Sequence, residues 1–160
     1  MSNNKKLALA KESYKRKKLA EYEQDFEKFA LDQIKILTKD SAKGFVPFVL
    51  NEAQKIVNEA ISKQLKETGR VRCIILKGRQ MGLSTYAVGR VFWKSYFNAY
   101  NKSVVMAHDS ATSDSLFNMS RNTIANMPEE FRPEFKKSNA KEILFEHNDS
   151  GYRLYTAGSP

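Results

Sequence analysis

The stretch 71-VRCIILKGRQMGLST-85 decides how this chain is expected to fold. Its first seven residues are almost continuously apolar and rich in β-branched side chains, which is typical of a strand buried on both faces. Gly78 and Gly82 then predict a tight turn, and the residues from Ser84 onward have the apolar face of a helix. The stretch therefore predicts a buried strand that leads directly into a loop and a helix.

The loop resembles the phosphate-binding pattern G-x-x-x-x-G-K-[ST], with two departures. Lys77 stands where the first glycine belongs, and Leu83 replaces the lysine. Backbone N–H groups at a helix N-terminus attract phosphate, and we expect Ser84, beside Thr85, to supply a hydroxyl for Mg²⁺. The alternative is an ordinary turn that needs only Gly82. We favour phosphate binding because that alternative does not require cations and hydroxyls to be crowded into one short turn.

The missing lysine must be replaced if the loop binds a triphosphate. A charge-assisted contact of this kind contributes about 1.5–3 kcal/mol. Lys77, at the strand end, and Arg79, within the loop, are the two candidates, and Arg79 is also placed to act as an arginine finger. The sequence does not decide between them.

Composition is that of one ordinary domain. The 160 residues contain no apolar run long enough to span a bilayer, and Cys73, the only cysteine, is predicted to be a buried core residue. Of the net charge of +9, six units lie within residues 1–20, which hold seven Lys or Arg against Glu12 alone. Such an end favours a polyanion, most often nucleic acid, although a solvated helix end is the common alternative.

The segments before the loop predict two helices. The first runs from Lys5 to Leu37 without proline or glycine, with a projecting basic half and a packed second half, and residues 39–44 break it. The chain then begins extended around Pro47, and Asn51 caps a helix that ends near Gly69.

The segments after the loop predict an α/β fold. "SVVMAH" (103–108) reads as a second buried strand, and a helix from Ser110 to Met127 follows it. Alternation of apolar strands and helices implies parallel pairing. "EILFEH" and "GYRLYTAG" then predict a hairpin across "NDSG". The aromatic residues along the helix after the loop are predicted to be core: Phe92, Trp93, Tyr96, Phe97 and Tyr100.

In their order, these segments resemble the large terminase subunit of tailed bacteriophages, an ATP-driven DNA-packaging motor. "GRQMGLST" looks like that family's variant Walker A loop, in which some members carry the lysine at the front, as Lys77 is here. "FVPFVLNEAQKIV" resembles its adenine-binding segment, which makes Gln54 the expected adenine reader. The resemblance extends from about Phe45 to Ser159.

The resemblance implies an ASCE-type P-loop NTPase with an incomplete parallel sheet, in which 1–38 form a basic helical arm and 39–160 the N-terminal part of the ATPase domain. Its ligands would be ATP and Mg²⁺. Its partners would be double-stranded DNA, a portal protein and a small terminase subunit, in a homo-oligomeric ring at the procapsid portal in the host cytoplasm, without a membrane. The implied nucleotide-binding residues are Gln54, Gly78, Gln80, Met81, Gly82, Leu83, Ser84 and Thr85, with Lys77 and Arg79 in the catalytic role and Ser84 at the metal.

ATP hydrolysis also needs acidic residues after a buried strand, one for Mg²⁺ and one to orient water. Asp109 is a poor candidate because the resemblance places the acidic strand later in the chain and because only one acid is present there. Glu146 and Asp149 are poor candidates because they fall on the predicted hairpin. By resemblance, the family's Walker B strand would lie beyond Pro160. We therefore expect these 160 residues not to turn over ATP at a useful rate. His108 and His147 lack partners at zinc-ligand spacing.

Two other functions remain open from the sequence. One is a helicase-like P-loop DNA translocase, which shares the glutamine and Walker A elements. The other is a non-catalytic nucleic-acid-binding or assembly module that keeps a relic of the loop. Stabilisation by ATP would separate the relic from both motors.

Overall fold

The computed structural model describes residues 3–38, 44–139 and 141–157, which form an α/β fold of helices with a mixed four-stranded sheet. The helices are α1 (Asn3–Gln24), α2 (Phe26–Gln33), α3 (Glu52–Thr68), α4 (Leu83–Phe97) and α5 (Ser110–Asn126), with one 3-10 turn at Glu129–Phe131. The strands are β1 (Lys35–Leu37), β2 (Phe45–Pro47), β3 (Lys102–Ala107), β4 (Phe135–Ser138), β5 (Glu142–Phe145) and β6 (Gly151–Thr156).

The prediction of one helix from Lys5 to Leu37 is wrong. The helix breaks at Asp25, whose extended backbone and side chain cap α2 by accepting a hydrogen bond from the N–H of Lys28 at 3.1 Å. Aspartate favours such caps because its carboxylate satisfies an N–H that would otherwise lack a partner. The last predicted helical residues instead form β1, which pairs antiparallel with β2. Apart from Gly44, the predicted break at 39–44 lies outside the described residues.

The helices predicted around the loop are confirmed. α3 begins after the N-cap Asn51 and ends at Gly69, which has a left-handed φ of 69°. α5 begins after Asp109, whose side chain accepts hydrogen bonds from the N–H and the hydroxyl of Thr112 at 2.8 and 2.7 Å. The N-caps of both helices and the glycine at the end of α3 follow the capping preferences of these residue types.

The main sheet has the strand order β3-β6-β5-β4. The predicted hairpin is confirmed, since β5 and β6 pair antiparallel with Ile143 opposite Tyr152. β3 lies parallel to β6, whereas the parallel pairing expected between 71–77 and 103–108 does not occur, because 71–77 forms no strand. β4 completes the sheet beside β5 in antiparallel orientation.

The prediction of a buried strand at 71–77 is wrong. This segment forms no strand, and Ile74 and Leu76 are fully exposed. A strand needs a neighbouring strand to satisfy its backbone, and within the described part of the chain 71–77 has none. Its backbone is held instead by the side chain of Gln64, which accepts from the N–H of Arg72 at 2.7 Å. Cys73, predicted to be core, is exposed for the same reason.

α4 lies at the centre of the core. Phe92 and Tyr96 on α4 are buried and contact Phe29 of α2 and Phe145 of β5 through ring pairs with centroids 5.8–6.3 Å apart. Trp93 and Phe97 are partly buried against this cluster, as predicted, whereas Tyr100 is 77% exposed because it lies in the turn after α4. This packing fixes α4, and therefore the loop that precedes it. None of the helices in the described ranges is long and apolar enough to cross a membrane.

Candidate functional site

The loop between residue 77 and α4 is tightly turned. Gln80 and Gly82 both have left-handed backbone conformations, with φ of 63° and 68°. For a residue other than glycine this conformation is uncommon, and such strained positions concentrate at functional sites. Gln80 therefore marks the loop as a place where geometry is maintained at an energetic cost.

The first turn of α4 has no side chain capping it. Its N-cap is Gly82, which makes no side-chain hydrogen bond. Ser84 is exposed, and its hydroxyl has no hydrogen-bond partner among the described residues, whereas the Thr85 hydroxyl donates to the Met119 sulfur at 3.8 Å. The helix N-terminus thus presents partial positive charge and one unengaged hydroxyl, and both suit an anion.

The N-terminus of α3 holds the loop in place. Asn51 and Gln54 form a capping box, in which each side chain bonds the other's backbone N–H, at 3.0 and 2.9 Å. The same two side chains reach the loop: the Asn51 amide donates to the Met81 carbonyl oxygen at 3.2 Å, and the Gln54 amide donates to that of Gly82 at 2.8 Å. Two hydrogen bonds therefore join the start of α3 to the loop, and two more hold the two anchoring side chains in position.

Gln54 is placed against the loop rather than in open solvent, being only 3% exposed. Its amide oxygen accepts one hydrogen bond and its nitrogen donates one, so one lone pair and one N–H remain. A donor and an acceptor side by side match the edge of an adenine. Adenine reading by Gln54 stays a prediction, to which the structure adds a second role as an anchor of the loop.

Among the described residues, the loop cations have no carboxylate partner. Lys77 and Arg79 are both exposed, and no Asp or Glu of the described residues lies within ion-pair distance of either. Leu83, in the position of the missing lysine, is 7% exposed, so its side chain packs inward. An inward-facing side chain explains why an apolar residue suits this position and leaves the cation to come from Lys77 or Arg79.

The acidic residues considered from the sequence are engaged elsewhere. Hydrogen bonds from the Thr112 backbone and hydroxyl lower the pKa of Asp109, which caps α5. The ammonium of Lys136, 2.6 Å away, lowers the pKa of Asp149, and the left-handed φ of 55° at Asp149 places it in the β5–β6 turn. Glu146 is exposed on the same turn. In the described ranges, no group of three or more His, Cys, Asp or Glu could hold a metal ion.

Sequence reasoning missed a polar cluster that links α4 to α3 and α2. The Asn58 side-chain oxygen accepts from the Tyr86 hydroxyl at 3.1 Å and from Arg90 at 2.7 Å. The Arg90 guanidinium also lies over the rings of Phe26 and Trp93, at 5.0 and 4.8 Å. The i, i+4 spacing of Tyr86 and Arg90 shows that they share a helix face, but nothing in the sequence identifies Asn58 as their partner.

Known proteins give no identification of this site. No protein family matches the chain, and no curated protein sequence matches it either.

Proposed function

We propose that this chain is the nucleotide-binding part of a DNA-packaging ATPase of the terminase large-subunit type. The observation that carries the proposal is the loop itself: it enters a helix N-terminus without a side-chain cap, is anchored by Asn51 and Gln54, and carries two cations that pair with no carboxylate among the described residues. Phosphate-binding loops combine these features, with backbone donors, a helix dipole and a basic side chain.

The residues of the loop fit a triphosphate in distinct ways. Backbone N–H groups from Gly78 to Ser84 would surround the phosphates, and Lys77 or Arg79 would neutralise their outer charge. The Ser84 hydroxyl would bind Mg²⁺ together with oxygens of the phosphates. Bound Mg²⁺ supplies charge stabilisation for phosphoryl transfer. The proposal also includes an ASCE-type P-loop fold. Its partners would be DNA, a portal protein and a small terminase subunit, and its location the procapsid.

A thermal unfolding experiment on the full 160-residue chain tests nucleotide binding. We expect millimolar ATP with Mg²⁺ to raise Tm, because a ligand that binds only the folded state stabilises it. AMP, which lacks the β- and γ-phosphates, should raise Tm much less. Equal Tm values with and without Mg²⁺–ATP would contradict the proposal and favour the relic module.

Ser84→Ala and Thr85→Ala form a matched pair for the metal. Ser84→Ala should reduce the part of the ATP-induced stabilisation that depends on Mg²⁺, because it removes the unengaged hydroxyl. Thr85→Ala should leave that part unchanged, since the Thr85 hydroxyl donates to Met119. If the Mg²⁺-dependent part is the same in both variants, Ser84 does not hold the metal.

A further inference from the structure

The segment 71–77 exposes apolar side chains and unpaired backbone groups together. Ile74 and Leu76 are fully exposed. Among the described residues, the backbone N–H and C=O groups from Cys73 to Leu76 have no hydrogen-bond partner. An apolar segment whose backbone is unpaired is a template on which another strand can form a ladder of hydrogen bonds. We call residues 71–77 the open segment.

The open segment is bonded to α3 at its start. The Gln64 side chain accepts from the Arg72 N–H at 2.7 Å and donates to the Arg72 carbonyl oxygen at 3.3 Å, as a neighbouring strand would. Beyond Arg72, the segment and α3 border an apolar groove of about 310 Å³, which Ile56 and Ile61 line together with Ile75. The groove can receive apolar side chains of an added strand.

The unpaired backbone favours a polypeptide strand over a lipid surface. Exposed apolar side chains next to cations would suit either of them. Hydrocarbon, however, offers no hydrogen bonds, so burial of free N–H and C=O groups in lipid is unfavourable. An added strand satisfies these groups through its own backbone, while its side chains enter neighbouring pockets. The open segment therefore suits a strand.

The charge around the open segment has one sign. From Gly69 to His108 the sequence holds seven Lys or Arg and no Asp or Glu. Arg70 and Arg72 are exposed and form no ion pair with any described residue. Opposite charges on neighbouring strands stabilise pairing, and like charges directly opposite destabilise it. The added strand should therefore carry Asp or Glu at the end that lies beside Arg70 and Arg72.

A second copy of this chain does not supply such a strand. Pairing of two open segments would bring together two regions that each carry those seven cations and no acid. Among the strands of the described residues, only β5 has apolar residues between acids, since Glu142 and Glu146 flank residues 143–145. β5 lies between β6 and β4, so both of its edges are already paired.

We propose that the open segment binds, by strand addition, an extended segment of a partner protein with about five apolar residues next to an acidic end. The partner's backbone pairs with residues 73–76, its apolar side chains cover Ile74 and Leu76 and enter the groove, and its carboxylates lie beside Arg70 and Arg72. None of these contacts depends on nucleotide binding, so the two proposals are tested separately.

The test measures binding of a labelled peptide to the full chain by fluorescence anisotropy at low salt. The peptide alternates Val and Thr over seven residues and has two Glu at each end, so that either strand direction places carboxylates beside Arg70 and Arg72. We expect one site for this peptide. The same peptide with Lys in place of Glu should bind at least about tenfold more weakly, because each end contact changes sign.

Two pairs of variants separate backbone pairing from charge. Ile74→Pro/Ile75→Pro removes one donor from each edge of the segment and should abolish binding, whereas Ile74→Thr/Ile75→Thr keeps both donors and should still bind. Arg70→Gln/Arg72→Gln should weaken binding about threefold. Its control, Lys94→Gln/Lys141→Gln, removes the same charge from exposed lysines elsewhere and should bind as the wild type does.

Four results would overturn the proposal. They are no binding of the acidic peptide by the wild-type chain, equal binding of the acidic and lysine peptides, full binding by the proline variant, and dimerisation of the wild-type chain that the proline variant abolishes. The last result, measured by light scattering, would make a second copy the occupant. Phosphatidylserine vesicles that bind the chain and displace no acidic peptide would leave the strand site intact and so support it.

Discussion

Gly82 and Gln54 act as one unit at the start of α4. The glycine has a φ of 68°, and a Cβ built on it would lie 2.7 Å from the amide nitrogen of Gln54. The same nitrogen donates to the Gly82 carbonyl oxygen. A side chain at residue 82 would therefore have to displace the group that holds the loop.

Gly82→Ala is expected to destabilise the protein more than Gly69→Ala. Gly69 has nearly the same φ, 69°, but open space around it, so both variants share a backbone cost of about 1–2 kcal/mol. Only Gly82→Ala also breaks the partly buried hydrogen bond from Gln54, which adds about 1–3 kcal/mol. Urea unfolding measures the difference in the free energy of unfolding. Equal losses in the two variants would mean that Gln54 does not anchor the loop.

Among single residues, the sequence predicts caps well and long-range partners poorly. Asn51 was predictable as an N-cap because the preference depends on local backbone chemistry. Its second bond, to Met81, and the bond from Gln54 to Gly82 join residues 30 and 28 positions apart. Such pairs depend on how the elements pack, which local patterns do not encode.

α4 is the element that connects the loop to the core, and Arg90 is its main polar attachment. One guanidinium donates to Asn58 and lies over two aromatic rings. Burial lowers the pKa of Arg90, but the group stays charged because an arginine pKa is far above neutrality. The planar group therefore joins three helices, α2, α3 and α4.

Arg90→Lys is expected to lower the free energy of unfolding by about 1–2 kcal/mol, because lysine keeps the charge but cannot stack on two rings while donating to Asn58. Arg121→Lys is the matched control. Arg121 is exposed and lies over one ring only, at 5.9 Å from the Phe117 centroid. Arg121→Lys should therefore lower the free energy of unfolding by no more than about 0.5 kcal/mol. Guanidinium unfolding compares the two variants. Equal losses would show that the Arg90 contacts add no stability.

At the scale of elements, the sequence correctly predicts each helix around the loop, but the strand that it predicts before the loop does not form. The apolar run at 71–77 has the composition of a buried strand, and composition is all that a local pattern reports. Whether it pairs depends on a second strand, and the described residues provide only a groove of about 310 Å³ against α3, lined by Ile56, Ile61, Ile74 and others. The prediction of one long N-terminal helix is wrong for a different reason. The helical pattern of the sequence continues past Asp25, but the Asp25 side chain caps a new helix there and so ends the first one.

At the scale of the whole molecule, the chain combines one loop, one basic helix and one mixed sheet around α4. The α/β class follows from the alternation of strand and helix patterns along the sequence, and the β5–β6 hairpin follows from its turn residues. Both are local signals. The strand order β3-β6-β5-β4 does not, because β6 inserts between strands that are earlier in the chain. The candidate site shows the same division, since the loop could be located from the sequence but the hydrogen bonds from Asn51 and Gln54 that anchor it could not.

Isothermal titration calorimetry of the full chain with Mg²⁺–ATP tests most directly whether the loop binds a triphosphate through Lys77 or Arg79. We predict one site in the wild-type chain and at least about tenfold weaker binding in Lys77→Ala/Arg79→Ala, because a charge-assisted contact contributes about 1.5–3 kcal/mol. Lys63→Ala/Lys66→Ala, which removes the same charge from the far end of α3, should bind as the wild type does. No heat of binding in the wild-type chain, or equal affinity in the two double variants, would contradict the nucleotide-binding role of this loop.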